Sequence, residues 1–253
     1  MERDIKVEAI VLSTKRWGEL NRLVTLLSSE IGVFNALVYG ARKGKLASAI
    51  EPLVSGTYYI YHNKAKGHYS IKDVELKSDA LEIKKDLVSY YIAQMMVELA
   101  LKMHGGDYHQ LFSVLKLSLS LLEEKQNDPK KIFILYGWAL LAISGLQSDL
   151  KMCPNCSKVY EDDEILGFNY KTESPCCLKC AQIEDEFDQL ILPPGARRYL
   201  DLTQELDLDV ASTVQLSPRA TERLFRYIVA YFNSILGVAL KSLDRSILFT
   251  DFD

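Results

Sequence analysis

Five cysteines are present, and four of them fall into two pairs with a two-residue spacer, Cys153-Pro154-Asn155-Cys156 and Cys177-Leu178-Lys179-Cys180. Two such turns separated by about twenty residues present four thiolates to one tetrahedral cation, the spacing of structural zinc ribbons. In each turn the sulfurs converge across a tight bend that Pro154 and Asn155 suit, and the intervening segment acts as a tongue that returns the second turn to the first. Cys176 precedes Cys177 directly and is the alternative ligand; the matching two-residue spacer favours Cys177. The competing use of the same cysteines is a pair of disulfides, which persist mainly in exported proteins. The opening residues Met1-Glu2-Arg3-Asp4 are charged and run into a strand-like pattern, so no signal peptide is expected and zinc is the expected occupant. Four thiolates leave no open coordination position, and no His-x-Glu occurs at any of the four histidines, which speaks for structural zinc and against a zinc deaminase.

The second group of residues able to do chemistry is cationic and aromatic. It comprises Lys15, Arg16 and Trp17, then Arg22, then Tyr39-Gly40-Ala41-Arg42-Lys43-Gly44-Lys45. Guanidinium and ammonium groups neutralise phosphates, and exposed aromatic rings stack on unpaired bases, so this set would make a sequence-tolerant nucleic-acid groove. The competing use is a solubilising loop with Trp17 and Tyr39 in the core. The formal net charge of −4 conceals an asymmetry: residues 1–72 hold eleven Lys and Arg against six Asp and Glu, a surplus of +5 that leaves −9 on the rest. Polyanion binding therefore belongs at the N-terminal end.

These residues need elements to hold them. Over residues 5–76 five short segments rich in Val, Ile, Leu and Tyr (5–13, 20–28, 33–39, 56–62 and 68–76) are separated by breakers such as Gly18, Gly32, Gly40, Gly44 and Gly67. Five strands in this length predict a small barrel, an OB-fold or an SH3-like barrel, with 63–67 as the tip of the last hairpin. From Lys84 the period becomes helical: 84–104, 108–125 and 130–146 are long and apolar, with breaks at Gly105-Gly106-Asp107 and Asn127-Asp128-Pro129. Helical structure restarts at Pro193-Pro194-Gly195, and Ser217-Pro218 offers a cap and a first-turn proline for a last helix reaching about Leu240. The expectation is an α+β multidomain chain: residues 1–80 as a five-stranded barrel domain, OB-fold or SH3-like, that binds nucleic acid, and 81–253 as an all-α domain with an inserted four-cysteine zinc element at 150–184.

Chain length and chemistry exclude several classes. A chain of 253 residues with 48% hydrophobic content buries one or two substantial cores. The apolar run from Ile132 to Ile143 is too short to span a bilayer and reads as a buried helix, so a soluble, cytoplasmic protein is expected. GxxxxGK[ST], GxGxxG, HExxH and GxSxG are all absent. The acidic clusters Glu161-Asp162-Asp163-Glu164 and Glu184-Asp185-Glu186 read as solvated faces in preference to magnesium sites. Tyr90, Tyr91, Met95, Met96 and Met103 read as core in preference to a peptide groove. A role without catalysis is expected.

Taken in order, four places resemble the bacterial RecO family of recombination mediators. They are Glu8-Ala9-Ile10-Val11-Leu12 with Gly18-Glu19-Leu20-Asn21-Arg22-Leu23-Val24-Thr25-Leu26-Leu27; Gly32-Val33 with Gly40-Ala41-Arg42-Lys43; the cysteine pairs; and Leu236-Gly237-Val238-Ala239-Leu240-Lys241-Ser242-Leu243. The resemblance covers essentially the whole chain. It implies an N-terminal OB-fold, a helical domain and a zinc element. It further implies a protein that binds single- and double-stranded DNA, anneals complementary strands, and works with RecR and single-stranded DNA-binding protein to load RecA in the bacterial cytoplasm, associated with the nucleoid. Positions matching the family's DNA-binding face are Arg16, Arg22, Arg42, Lys43 and Lys45. Two departures stand out: Gly44, Leu46 and Ala47 dilute the basic run, and Glu173-Ser174-Pro175-Cys176 replaces a glycine pair before the second cysteine turn. The alternative is a zinc-ribbon adaptor that binds proteins only; a nucleic-acid enzyme is a more distant third.

Overall fold

Period-two alternation in the first eighty residues closes into a barrel. The computed structural model describes residues 4–41, 46–63, 67–103, 105–182 and 190–249, and the chain divides between Lys125 and Gln126 into two compact units. In the first unit β1 (Asp4–Trp17), β2 (Asn21–Ser28), β3 (Gly32–Val38), β4 (Ser55–Asn63) and β5 (His68–Ser78) pair in the order β1-β2-β3-β5-β4, with β4 returning to β1. Every ladder is antiparallel except β3 with β5, where Ala36 and Leu37 face Tyr69 and Ser70 in parallel. That arrangement is the OB-fold, and it settles the choice that composition left open between this barrel and an SH3-like one. Val7, Ala9, Val11, Val24, Leu26, Phe34, Ala36, Val38, Tyr58, Ile60 and Ile71 fill the interior, as strand alternation requires. A register shift between Val11 and Ser13 bends β1.

β1 is longer than its apolar pattern suggests. Lys15, Arg16 and Trp17, expected in a connection, form the end of the strand, because they pair with Leu23, Arg22 and Asn21 of β2. Backbone hydrogen bonds need no apolar side chain, so the ladder continues past the buried part as an exposed ribbon.

Gly56 is where β4 and β5 approach most tightly. A methyl group there would sit 2.6 Å from the Glu75 carbonyl oxygen and 3.2 Å from Val74 Cγ1. The obstacle is backbone, which cannot rotate away. Gly56→Ala is therefore expected to destabilise the first unit by about 2 kcal/mol or more, the size of an overpacked core, read as a lower denaturant midpoint at unchanged slope.

α1 (Leu81–Lys85), α2 (Leu87–Lys102) and α3 (Tyr108–Glu123) belong to the same unit. The periodic stretch from Lys84 breaks at Asp86, whose carboxylate accepts from Ser89 N–H and caps α2. α2 and α3 pack on β1, and α3 on β2 and β3 as well, which buries Ile10, Leu12 and Leu27 on the outside of the barrel. The change from strand to helix thus falls near residue 80, while the compact units divide after α3. Met95, Met96 and Met103 are buried core, and Tyr90 is partly exposed.

The second unit holds α4 (Pro129–Ile143), β6 (Leu166–Asn169), β7 (Ser174–Cys177), α5 (Pro194–Thr203), α6 (Leu208–Thr213), α7 (Pro218–Leu236) and α8 (Arg245–Leu248). Ser217 caps α7 by accepting from Ala220 N–H. The helix stops at Leu236, short of the expected Leu240, because Gly237 takes the left-handed conformation that ends it. α4 and α7 lie side by side and run the same way: Lys130 meets Glu222, Phe133 meets Phe225 at 5.3 Å, and the missing side chain of Gly137 makes room for Ile228 and Phe232. Among the described residues no helix is long and apolar enough to cross a membrane.

Candidate metal centre and nucleic-acid interface

The two cysteine turns come together in the second unit. Cys153 N–H donates to the Lys158 carbonyl at 2.8 Å and Ser157 N–H to the Cys153 carbonyl at 2.9 Å; Cys180 and Ala181 N–H both donate to the Cys177 carbonyl, at 2.9 and 3.0 Å. Between the turns the chain runs out and returns as the β6–β7 hairpin, whose register sets Leu166 opposite Cys177 and Gly167 opposite Cys176. The Sγ atoms of Cys153, Cys156, Cys177 and Cys180 lie within 4.8 Å of one another, with Cys156 and Cys177 at 3.7 Å. Metal–sulfur bonds of about 2.3 Å in a tetrahedron require sulfurs about 3.8 Å apart, so the four residues fit a metal ion and can hold one. Cys176 is the neighbour of Cys177 along a strand and its side chain leaves by the other face; it is fully buried and outside the sulfur cluster.

Electrostatics within the cluster favours a cation. Burial works against the thiolate of Cys153, but amides of Cys177, Asn155 and Cys156 donate to it and bring its pKa down to about 6. The thiol of Cys180 is pushed up to about 12 by its hydrogen bonds with Cys156 and Cys177. One anion in this space suppresses the next, and only a bound cation lets all four sulfurs ionise together. Burial pushes the isolated Cys176 up to about 12, which leaves it an inert thiol.

Neighbouring groups hold the centre in place. Arg197 on α5 is buried, donates to the carbonyls of Glu161 and Asp162, and lies 5.5 Å over the Tyr160 ring. Within the acidic tract Glu164 pairs with Lys158 at 2.8 Å and accepts from Glu161 N–H. The tract is a braced loop. Glu184, Asp185 and Glu186 lie outside the described residues.

On the barrel, Arg16 and Arg22 stand directly opposite each other in the β1–β2 ladder, and Arg22 faces Val38 in the β2–β3 ladder. Directly opposed residues share a face, so both guanidinium groups lie on the Val38 side of the ribbon, about 5 Å apart at Cβ. Among the described residues neither forms an ion pair; Arg22 donates to the Asn21 carbonyl at 3.1 Å. Like charges so placed repel unless an anion sits between them. Alternation sends Lys15 and Trp17 to the opposite face, which separates Arg16 and Arg22 from Trp17 more than the linear sequence suggests and leaves Lys15 as the cation on the Trp17 face. Trp17, Leu20 and Tyr39 are 53%, 59% and 59% exposed. Gly40 N–H donates to Asn21 Oδ1 at 3.2 Å, which ties the chain after β3 to the base of the ribbon. Arg42, Lys43 and Lys45 lie outside the described residues, as do Lys64 and Lys66 of the β4–β5 hairpin.

The structure adds side chains that the sequence reading missed. Ser13 donates to Thr25 and Thr25 to Asn35 Oδ1 at 3.2 and 2.8 Å, a polar ladder across the outer face of β1, β2 and β3. His62 and Tyr69 stack at 4.5 Å where β4 meets β5. In OB-folds the β2–β3 face and the β1–β2 and β4–β5 connections receive oligonucleotides. The period-two placement of Ser13, Thr25 and Asn35 was the available signal; the pairing of their strands was not.

Residues 1–79 match the family model for the recombination protein O N terminal region, and residues 84–244 that for the recombination protein O C terminal region. Curated relatives are similar along nearly their whole length. A DNA repair protein RecO of Thermoanaerobacter sp. (strain X514) is 27% identical over 246 residues, 96% of this chain and 96% of that one. One of the same name from Bacillus cereus (strain AH187) is 27% identical over 243 residues, 94% of each chain.

Proposed function

The chain belongs to the recombination protein O family, and on that premise we propose that it acts in DNA repair and homologous recombination as a mediator that binds single- and double-stranded DNA and anneals complementary strands. In this reading it also works with RecR to load RecA on strands coated by single-stranded DNA-binding protein. The observation that carries the DNA-binding part is the unneutralised cross-strand pair Arg16 and Arg22 on an exposed ribbon of an OB barrel. A phosphate between the two guanidinium groups relieves their repulsion, while the exposed rings of Trp17 and Tyr39 are available to unstacked bases on the other face of the ribbon. None of these contacts distinguishes one base from another, so binding follows the backbone and not the sequence. RecR, the single-stranded DNA-binding protein and a nucleoid-associated, cytoplasmic location follow from the family resemblance alone. We assign zinc in a closed structural site, an ion that four thiolates in a tetrahedron suit. Bound there, zinc would cross-link the two cysteine turns. No covalent step is part of the function.

Charge reversal tests the barrel. Arg16→Glu with Arg22→Glu is expected to weaken single-strand binding, followed by fluorescence polarisation, roughly tenfold or more, the scale of two lost charged contacts. The log–log dependence of affinity on salt should flatten by about 2 for the two phosphates released. Wild-type affinity indifferent to salt would sink the reading. A protein-docking use of the cysteine element has its own support in the paired, exposed Met152 and Val159 and the exposed Leu178. It gains ground if the variant and wild type ignore DNA alike.

A further inference from the structure

We propose that the second unit carries its own nucleic-acid backbone site, a strip formed by Arg219 and Arg223 of α7. The proposal rests on the nucleic-acid reading above and extends it from one strand to two.

Residues from 73 onward carry a net charge of −9, yet the paired starts of α4 and α7 gather cations: Lys130, Lys131, Arg219, Arg223 and Arg226. One buried carboxylate, Glu222, is already engaged by Lys130 and by Arg226 Nε at 3.0 Å. Asp128 is used as the cap of α4, accepting from Lys130 N–H. Among the described residues Lys131 Nζ donates to the Val214 carbonyl at 3.5 Å. Arg219 and Arg223 are exposed, and among the described residues neither has a carboxylate partner.

Folding alone gives no reason for this arrangement. Arg219 and Arg223 are four residues apart on one helix face, the spacing at which like charges repel. α7 has no acidic residue in its first turn, so Arg219 stands where the helix dipole disfavours a cation. A surface that sacrifices stability in this manner is expected at a functional site.

The chemistry of the strip selects its ligand. The two arginines are about 6 Å apart along the helix axis and offer planar forks suited to phosphate oxygens. No large apolar side chain of α7 is exposed beside them, so a peptide would find no anchor there. A strand held here while another lies on the barrel gives annealing the two grips it needs.

The test compares the full-length protein with its Arg219→Gln, Arg223→Gln variant. Removing the repulsion should leave the thermal midpoint at or above wild type, so loss of fold does not confuse the result. Annealing of two complementary oligonucleotides should slow several-fold, and the salt dependence of DNA binding should flatten by about 2. If the variant anneals and responds to salt as wild type does, the strip is not a DNA site, and the barrel reading stands. Retention of polyglutamate by wild type and not by the variant, with DNA binding unchanged, would overturn it in favour of an acidic protein partner. If wild type binds no DNA, the function proposed above fails first.

Discussion

Chelation of the metal, or Cys153→Ser, is expected to unfold the 150–182 element and to lower the thermal midpoint of the second unit further than any other change considered. Structural zinc in isolated finger peptides contributes about 10–16 kcal/mol, comparable with the whole stability of an ordinary domain. Part of that loss would be offset here. β6 and β7 are only four residues each, but Phe168 packs on Tyr231 at 5.2 Å and Leu166 pairs with Leu192, which anchors the base of the hairpin without metal. The cysteine turns lack such support: Cys156 is exposed and its neighbours Pro154, Asn155, Ser157 and Lys158 are exposed too. A net loss of roughly 5 kcal/mol corresponds to a fall of about 10–20 °C for a chain of this size. Calorimetry of metal-loaded and chelated protein, with zinc counted by dye release, makes the comparison. Cys176→Ser is the internal control, because its sulfur lies outside the cluster: it should keep one zinc per chain. An unchanged midpoint after chelation would remove the structural role, and zinc lost with Cys176 would reassign the ligand.

The clustering of the four sulfurs was legible because they come as two local pairs, and chain alternation then decides between neighbours. Cys176 and Cys177 point to opposite faces of β7, so the two-residue spacer and the strand period select the same sulfur. Helix ends were legible where one residue fixes them, as Ser217 does for α7. Information carried by pairing between distant strands was not. The parallel contact of Ala36 with Tyr69 and the closure of β4 on β1 define the OB barrel, and neither leaves a mark on local composition. The same cause hid the placement of Arg16 beside Arg22. A linear reading groups Arg16 with Trp17, whereas the ladder puts them on opposite faces. Arg219 and Arg223 escaped attention for a different reason: the sum of charges beyond residue 72 is strongly negative, and a sum does not register that Glu222 is buried between two cations.

Removal of that buried carboxylate should be costly. Glu222→Ala is expected to destabilise the second unit by about 3–5 kcal/mol, the penalty for stripping one partner from a buried ion pair. Its side chain is 6% exposed and that of Lys130 is 14% exposed, so the ammonium would be left facing the Phe225 ring, 5.6 Å away, with little water. Replacing Glu222→Leu together with Lys130→Met should recover part of the loss, because no buried ammonium is left stranded, while Arg226, whose side chain is 33% exposed, exchanges its carboxylate partner for water. Urea titration of the single and double variants measures both terms, and a single variant within about 1 kcal/mol of wild type would mean that the pair is solvated. The same variants bear on the α7 strip. Losing Glu222 alone raises the positive charge beside Arg219 and Arg223, whereas the double replacement removes one charge of each sign and leaves the cations of the strip as they were. DNA annealing by the double variant should match wild type, while the Arg219→Gln, Arg223→Gln protein should be as stable as wild type and anneal slowly. Stability and strand annealing then separate along one helix, with the buried Glu222 governing the first and the exposed arginines one turn apart governing the second.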